Sequence, residues 1–199
     1  MMRSMSVCGD PNERRGGRDR SPPARAFERR RRSIARCVIP AALVVLLGAL
    51  GGCRSKPLPE PVDLVLPRAE TGQPFSFASR RGDVVIVYFF TTWCIPCQAM
   101  DPSVAEAARI GAREGIEVVG VALDREGRRT VAPYVAATMP PYPVVVGGGS
   151  VAEGQSPFGR IPELPATLFL DRDGRPAASI SGAASSKLLL ERARDVKSR

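Results

Sequence analysis

The side chains best suited to covalent chemistry gather in one stretch, "TTWCIPCQAMDP" at positions 91–102, where Cys94 and Cys97 lie three positions apart behind Trp93. Such a pair suits metal ligation, a structural crosslink, or thiol–disulfide exchange. Structural zinc takes about four ligands, mostly Cys and His, and the chain has five Cys and no His. Cys8, Cys37 and Cys53 belong to an N-terminal leader and its end, so the body keeps only Cys94 and Cys97 as free thiols. No metal site is expected. A disulfide between residues this close closes too small a loop to restrain the unfolded chain much, so it makes a poor staple. A redox reagent remains. Carriage of Cu(I) by two soft thiolates is the alternative, and the lack of His, of further Cys and of a nearby Met-rich tract counts against it.

The elements around the pair would position it for exchange. "DVVIVYFF" (83–90) holds an unbroken apolar run, rich in β-branched and aromatic residues, that fits a central strand covered on both faces. A helix is expected over 94–114, kinked at Pro102. Cys94 would then sit at a helix start, where unpaired N–H groups and the helix dipole favour a thiolate. Pro96 fits the first turn, where a missing N–H costs nothing. Cys97 falls one turn on, with Cβ atoms about 5–6 Å apart at that spacing, close enough for a small adjustment to give disulfide geometry. The sequence thus describes a redox switch with Cys94 as exposed nucleophile and Cys97 as resolving thiol.

Further strands are expected at 116–124, 142–148, 166–171 and 175–182, the last two joined by the "DRDG" turn (171–174). Helices are expected at 126–138 and 184–197. "FSFASRRG" (75–82) reads as an additional edge hairpin, and "GGG" (147–149), with no following Lys-Ser/Thr, as a plain loop. This order predicts an α/β fold: a central mixed sheet flanked by helices on both faces, with an extra N-terminal β-hairpin.

The formal charge of +9 invites a nucleic-acid reading until it is divided along the chain. Residues 1–52 carry eleven Arg against four acids, and residues 53–199 carry eighteen basic and sixteen acidic residues. The body is nearly neutral, so no nucleic-acid partner is expected. Residues 1–52 read as a signal peptide with a long basic n-region: "RRRRSIAR" (29–36) precedes the short apolar run "CVIPAALVVLLGALGG" (37–52). "LGGC" (50–53) resembles the lipobox of bacterial lipoproteins, which implies lipidation at Cys53; an uncleaved membrane anchor with an incidental Cys is the alternative. Either places the body outside the cytoplasmic membrane, on the periplasmic side of the cell envelope. Residues 53–61, with three prolines, read as a tether, and 62–199 as the folded domain.

"WCIPC" after "VVIVYFFTT", with Pro102 downstream and "LPATLFLDRDG" at 164–174, resembles the thioredoxin superfamily. The added N-terminal segment, "GIEVVGVALD" (115–124), the leader and the lipobox are most similar to the TlpA/ResA-like exported thiol–disulfide oxidoreductases. The resemblance implies a thioredoxin-like fold and a protein disulfide reductase with no cofactor beyond the redox-active Cys94–Cys97 pair. It implies that Cys94 attacks, that Cys97 resolves, and that Pro165 is a cis-proline facing them. Leu164 would pair its backbone with a bound peptide in β-fashion, and Trp93 would either flank the active surface or simply pack. The partners implied are client protein thiols and disulfides, a membrane electron donor, and the membrane itself through lipid on Cys53. Ile95-Pro96 offers no His to stabilise the thiolate, which favours a reductant over a disulfide-forming oxidant of the same fold. A peroxidase of that fold is disfavoured because "FFTTWC" lacks the proline before the cysteine. Two positions depart from the pattern. Tyr88 stands where thioredoxin has a buried aspartate, and Met100 where ResA-like proteins commonly have glutamate. Asp101 lies one residue further, about 100° around the helix from position 100. Water, or a group the sequence does not place, is left to accept the Cys97 proton.

Overall fold

The computed structural model describes residues 59–199. The leader, Cys53 and most of the tether lie outside the described residues. Val62, where the domain is expected to begin, is buried and donates its N–H to Gly174 O at 2.8 Å.

The described residues form seven strands and four α-helices: β1 (Val65–Pro67), β2 (Pro74–Ser76), β3 (Val84–Phe90), α1 (Ile95–Gly111), β4 (Ile116–Ala122), α2 (Arg128–Thr138), β5 (Val144–Val146), α3 (Gly148–Ala152), β6 (Ala166–Leu170), β7 (Pro176–Ser181) and α4 (Ser186–Lys197). The main sheet has the order β5-β4-β3-β6-β7. β3 pairs parallel with β4 and antiparallel with β6, while β1 and β2 form a separate antiparallel ladder. The sheet is mixed and flanked by helices, as the sequence pattern predicts.

All seven residues of β3 are buried, because its two faces enter two different apolar clusters. Val84, Ile86, Tyr88 and Phe90 join Val104 and Ala107 of α1, Val131 of α2 and Leu189 of α4. Val85, Val87 and Phe89 join Phe75 and Phe77 of the hairpin segment, Val151 of α3 and Phe158. The three longer helices thus feed one face. On the other, edge-to-face contacts link Phe75, Phe77, Phe158 and Phe89, with ring centroids 5.1–5.3 Å apart, a geometry aromatic pairs prefer.

Three boundaries differ from the sequence pattern. The hairpin pairs β1 with β2, and beyond Ser76 the 75–82 segment turns into a 3-10 helix at Ala78–Arg80; the hydroxyl of Ser79 donates to Ser76 O at 2.7 Å and so folds the chain back. Gly148 and Gly149 open the short helix α3 where a plain loop is expected; Gly148, at φ 61°, supplies a turn that a side chain would strain. α1 stops at Gly111 and runs on to residue 114 as a 3-10 turn; Gly115, in the left-handed region at φ 64°, ends it. Pro102 lies inside α1, where its missing N–H leaves the Gln98 carbonyl without its usual helical partner.

Candidate active site

The sheet brings the cysteines to one edge. β3 ends at Phe90, the chain turns through Thr91–Trp93, and α1 begins at Ile95. Cys94 is the N-cap of α1, in extended backbone conformation, and its N–H donates to Thr91 O at 3.1 Å. Its Sγ accepts the N–H of Cys97 at 3.2 Å. Pro96 occupies the first turn. Free N–H groups and the positive end of the helix dipole therefore meet at the Cys94 sulfur, which lowers the cost of a thiolate there.

Cys94 and Cys97 are joined as a disulfide, with Cα atoms 5.2 Å apart. Cys94 is 7% exposed and Cys97 1%. The sequence places Cys94 as the exposed member of the pair; the order holds, but in the oxidised form Cys94 is itself buried, because its sulfur is tied to the buried Cys97 and turned onto that residue's N–H. Its chain neighbours Trp93 and Ile95 are instead strongly exposed, at 72% and 76%.

Cys94 opens onto a cleft of about 680 Å³ lined by Trp93, Pro96, Leu123, Ile161 and Leu164 among others. The Leu164–Pro165 peptide bond is cis. β6 runs antiparallel to β3 with Ala166 opposite Phe89, so Pro165 falls level with Phe90, beside the strand end from which the Cys94 turn departs. Trp93, Cys94 and Leu164 thus border one cleft, and Pro165, next in the chain, is buried and does not line it. Cys53 lies outside the described residues.

Two arrangements around the cysteines are absent from the sequence reading. The first fixes the turn. Asp124, 1% exposed at the end of β4, accepts the Thr92 N–H at 3.1 Å and the Thr92 hydroxyl at 2.6 Å. Gln98 Nε2 donates to Thr92 O at 2.7 Å, tying the same turn to α1. The second lies beneath Cys97. The Tyr88 hydroxyl is 3.0 Å from Cys97 O and 3.1 Å from Asp101 Oδ1, and the Tyr134 hydroxyl donates to Asp101 Oδ2. Burial, and then the nearby Asp101 carboxylate, push the Tyr88 hydroxyl well above the usual phenol range; burial does the same at Tyr134 and Tyr142. All three hydroxyls hold their protons. Asp101 is four residues from Cys97, a spacing that puts side chains on one helix face; counting from Cys97 rather than from Met100 is the signal that finds it. Among the described residues, no group of three or more His, Cys, Asp or Glu could hold a metal ion.

Comparison with known proteins agrees with this geometry. The model of the AhpC/TSA family matches residues 60–179. The chain is 27% identical over 121 residues to the thiol-disulfide oxidoreductase ResA of Bacillus thuringiensis subsp. konkukian, covering 60% of this chain and 67% of the relative. Its structure is similar to a thioredoxin-family thiol:disulfide interchange protein from Chlorobium tepidum, with a TM-score of 0.57, 28% identity, and coverage of 70% of this chain and 97% of the other. A secreted thiol-disulfide isomerase from Corynebacterium glutamicum shares the fold, with a TM-score of 0.61, 23% identity, and coverage of 70% and 84%. The chain belongs to the AhpC/TSA family and is a thioredoxin-fold thiol–disulfide oxidoreductase.

Proposed function

We propose that the protein is an exported, lipid-anchored reductase of disulfides in client proteins, with Cys94 as the attacking thiol and Cys97 as the resolving thiol. The observation that carries it is the difference between the two sulfurs. Cys94 caps the start of α1 and borders the cleft, whereas Cys97 is nearly inaccessible one turn behind.

In the reducing direction the Cys94 thiolate attacks one sulfur of a client disulfide. The Cys94–client S–S bond forms, the client S–S bond breaks, and the departing sulfur leaves with the electron pair and takes a proton. Cys97 then loses its proton and attacks the Cys94 sulfur. The Cys94–Cys97 disulfide forms, the second client sulfur leaves with its electron pair and is protonated, and the client has gained two electrons and two protons. A membrane dithiol donor returns the pair to the reduced state. The client lies extended across the cleft with its backbone paired to Leu164, and Trp93 and Ile95 give it an apolar surface.

Support for the reducing direction is the Ile95-Pro96 dipeptide, which holds no cation to stabilise the thiolate beyond the helix end. The basic and apolar leader at 29–52 supports an envelope location, and "LGGC" at 50–53 supports lipid at Cys53. The test is trapping. With Cys97→Ala, client mixed disulfides accumulate through Cys94 and appear as reducible adducts on non-reducing gels; with Cys94→Ala they do not. A reversed pattern would overturn the assignment of roles.

A further inference from the structure

A second cleft, of about 480 Å³, lies between α1, α2 and the segment that joins α2 to β5. Its size falls within the roughly 300–1,000 Å³ of small-molecule sites. It shares no lining residue with the cleft beside Cys94, so thiol–disulfide exchange gives it no task. The sequence holds it open. Met139 ends α2 in the left-handed region at φ 45°, with its N–H on Val135 O at 2.8 Å. Pro140 and Pro141 then keep the chain from continuing as helix. On the facing side Asp101, Ala105 and Arg109 recur every four residues, a single stripe of α1, and the small Ala105 at its middle leaves room. Phe90 and Tyr134 line the space between, with ring centroids 5.9 Å apart.

The polar groups of this cleft divide into those already paired and those left over. Asp101 has the Tyr88 hydroxyl 3.1 Å from Oδ1 and the Tyr134 hydroxyl donating to Oδ2. The Thr138 hydroxyl donates to Tyr134 O at 2.9 Å, and Gln98 Nε2 to Thr92 O at 2.7 Å. Two donors that line the cleft have no partner among the described residues, the Tyr142 hydroxyl and the Arg109 guanidinium. Tyr142 is 9% exposed, and a phenol buried that far without its hydrogen bond bears an uncompensated loss of water. Burial, then the nearby Asp101 charge, keeps the proton on Tyr142, so that hydroxyl is a donor on the Asp101 side of the cleft. Arg109 is exposed and lies eight residues from Asp101, about 12 Å along the helix axis. The cleft therefore has an acidic end and a basic end, with aromatic and proline surface between them.

We propose that this cleft binds a small aromatic carboxylic acid that carries a neutral hydroxyl at its far end. The carboxylate pairs with Arg109, whose planar fork of donors matches it. The ring packs against Phe90, Tyr134 and Pro141, and the far oxygen accepts the Tyr142 proton. Charge fixes the direction of entry. Turned end for end, the acid would meet the Asp101 carboxylate, which repels it, and Arg109 would be left unpaired.

Titration calorimetry of the full chain with para-hydroxyphenylpropionate, its amide, and phenylpropionate reads both ends of the cleft. The hydroxylated acid should bind, and its amide about tenfold more weakly, the worth of a charge-assisted hydrogen bond. Phenylpropionate should bind about fivefold more weakly than the hydroxylated acid, for the loss of one neutral hydrogen bond. Arg109→Gln should bring the acid down to the affinity of the amide, and Tyr142→Phe should bring it down to that of phenylpropionate. Both variants keep the fold within reach, since Arg109 is exposed and Tyr142→Phe removes a single oxygen. Ile161→Ser, in the cleft beside Cys94, should leave the affinity for the acid unchanged. Absence of binding to the wild-type chain, equal affinity for acid and amide, or a loss caused by Ile161→Ser in place of Arg109→Gln would each overturn the proposal.

Discussion

At the residue scale, reactivity at Cys94 rests on where its backbone is held. The extended conformation that makes it the cap of α1 depends on the preceding turn, and a buried carboxylate, Asp124, holds that turn through both the N–H and the hydroxyl of Thr92, alongside the Gln98 bond to Thr92 O. Hydrogen bonds to a charged acceptor contribute about 1.5–3 kcal/mol. Asp124→Asn keeps the shape but replaces one acceptor oxygen with an NH₂ donor facing Thr92. The expected result is a loss of about 1–3 kcal/mol in urea unfolding and slower alkylation of Cys94 in the reduced protein, since the sulfur no longer sits squarely on the helix end. Wild-type stability together with a wild-type alkylation rate would show that the clamp holds nothing. Cys94 and Cys97 are legible in the sequence because they stand in a short, distinctive run, whereas Leu164 and Pro165 are picked out only by the resemblance of "LPATLFLDRDG" to the thioredoxin superfamily. Asp124 and Asp101 are legible in neither way. A lone Asp at a strand end or in a helix looks like any solvated acid until the partner it meets in space, Thr92 or Tyr88, is known.

Elements carry the same contrast. β3 announces itself through an unbroken apolar run, because a strand covered on both faces needs apolar residues at every position, and β4 and β6 follow with runs interrupted at Glu117 and Thr167. α3 and the β1–β2 hairpin do not. Strands of three residues are too short for alternation to register, and an opening through glycines hides a five-residue helix. These weakly signalled pieces nevertheless close the second face of the sheet, with Phe158 at their centre touching both Phe77 and Phe89. Phe158→Ala removes that link. Truncating a buried Phe costs about 3–5 kcal/mol, and because Phe158 retains some exposure the loss should fall near 3 kcal/mol. Denaturant unfolding measures it, and a change under about 1 kcal/mol would mean that the aromatic cluster does not bind the segment after α3 to the sheet.

For the whole molecule, the charge division assigns the basicity to residues 1–52 and leaves a nearly neutral body, which offers no electrostatic argument for a nucleic-acid partner. The export proposal rests on the basic and apolar leader at 29–52, and the anchoring proposal on "LGGC" at 50–53. Cys53→Ser should abolish fatty-acid labelling and block cleavage of the leader in cells; equal labelling of the variant would sink the lipoprotein assignment. The electron-transfer direction belongs to this scale too, since it sets which partner donates and which accepts.

The reduction potential of the Cys94–Cys97 pair, taken from equilibration with a glutathione or dithiothreitol redox buffer, tests the central claim of a reductase most directly. A strong oxidant needs its reduced form stabilised as a thiolate, and here the start of α1 does that unaided by any histidine. The potential should lie nearer to thioredoxin, about −270 mV, than to the oxidant DsbA, about −120 mV. Pro96→His, which adds the missing cation, should raise it by tens of millivolts, where about 30 mV corresponds to about 1.4 kcal/mol. A wild-type value already near −120 mV would contradict the account and make the protein a source of disulfides.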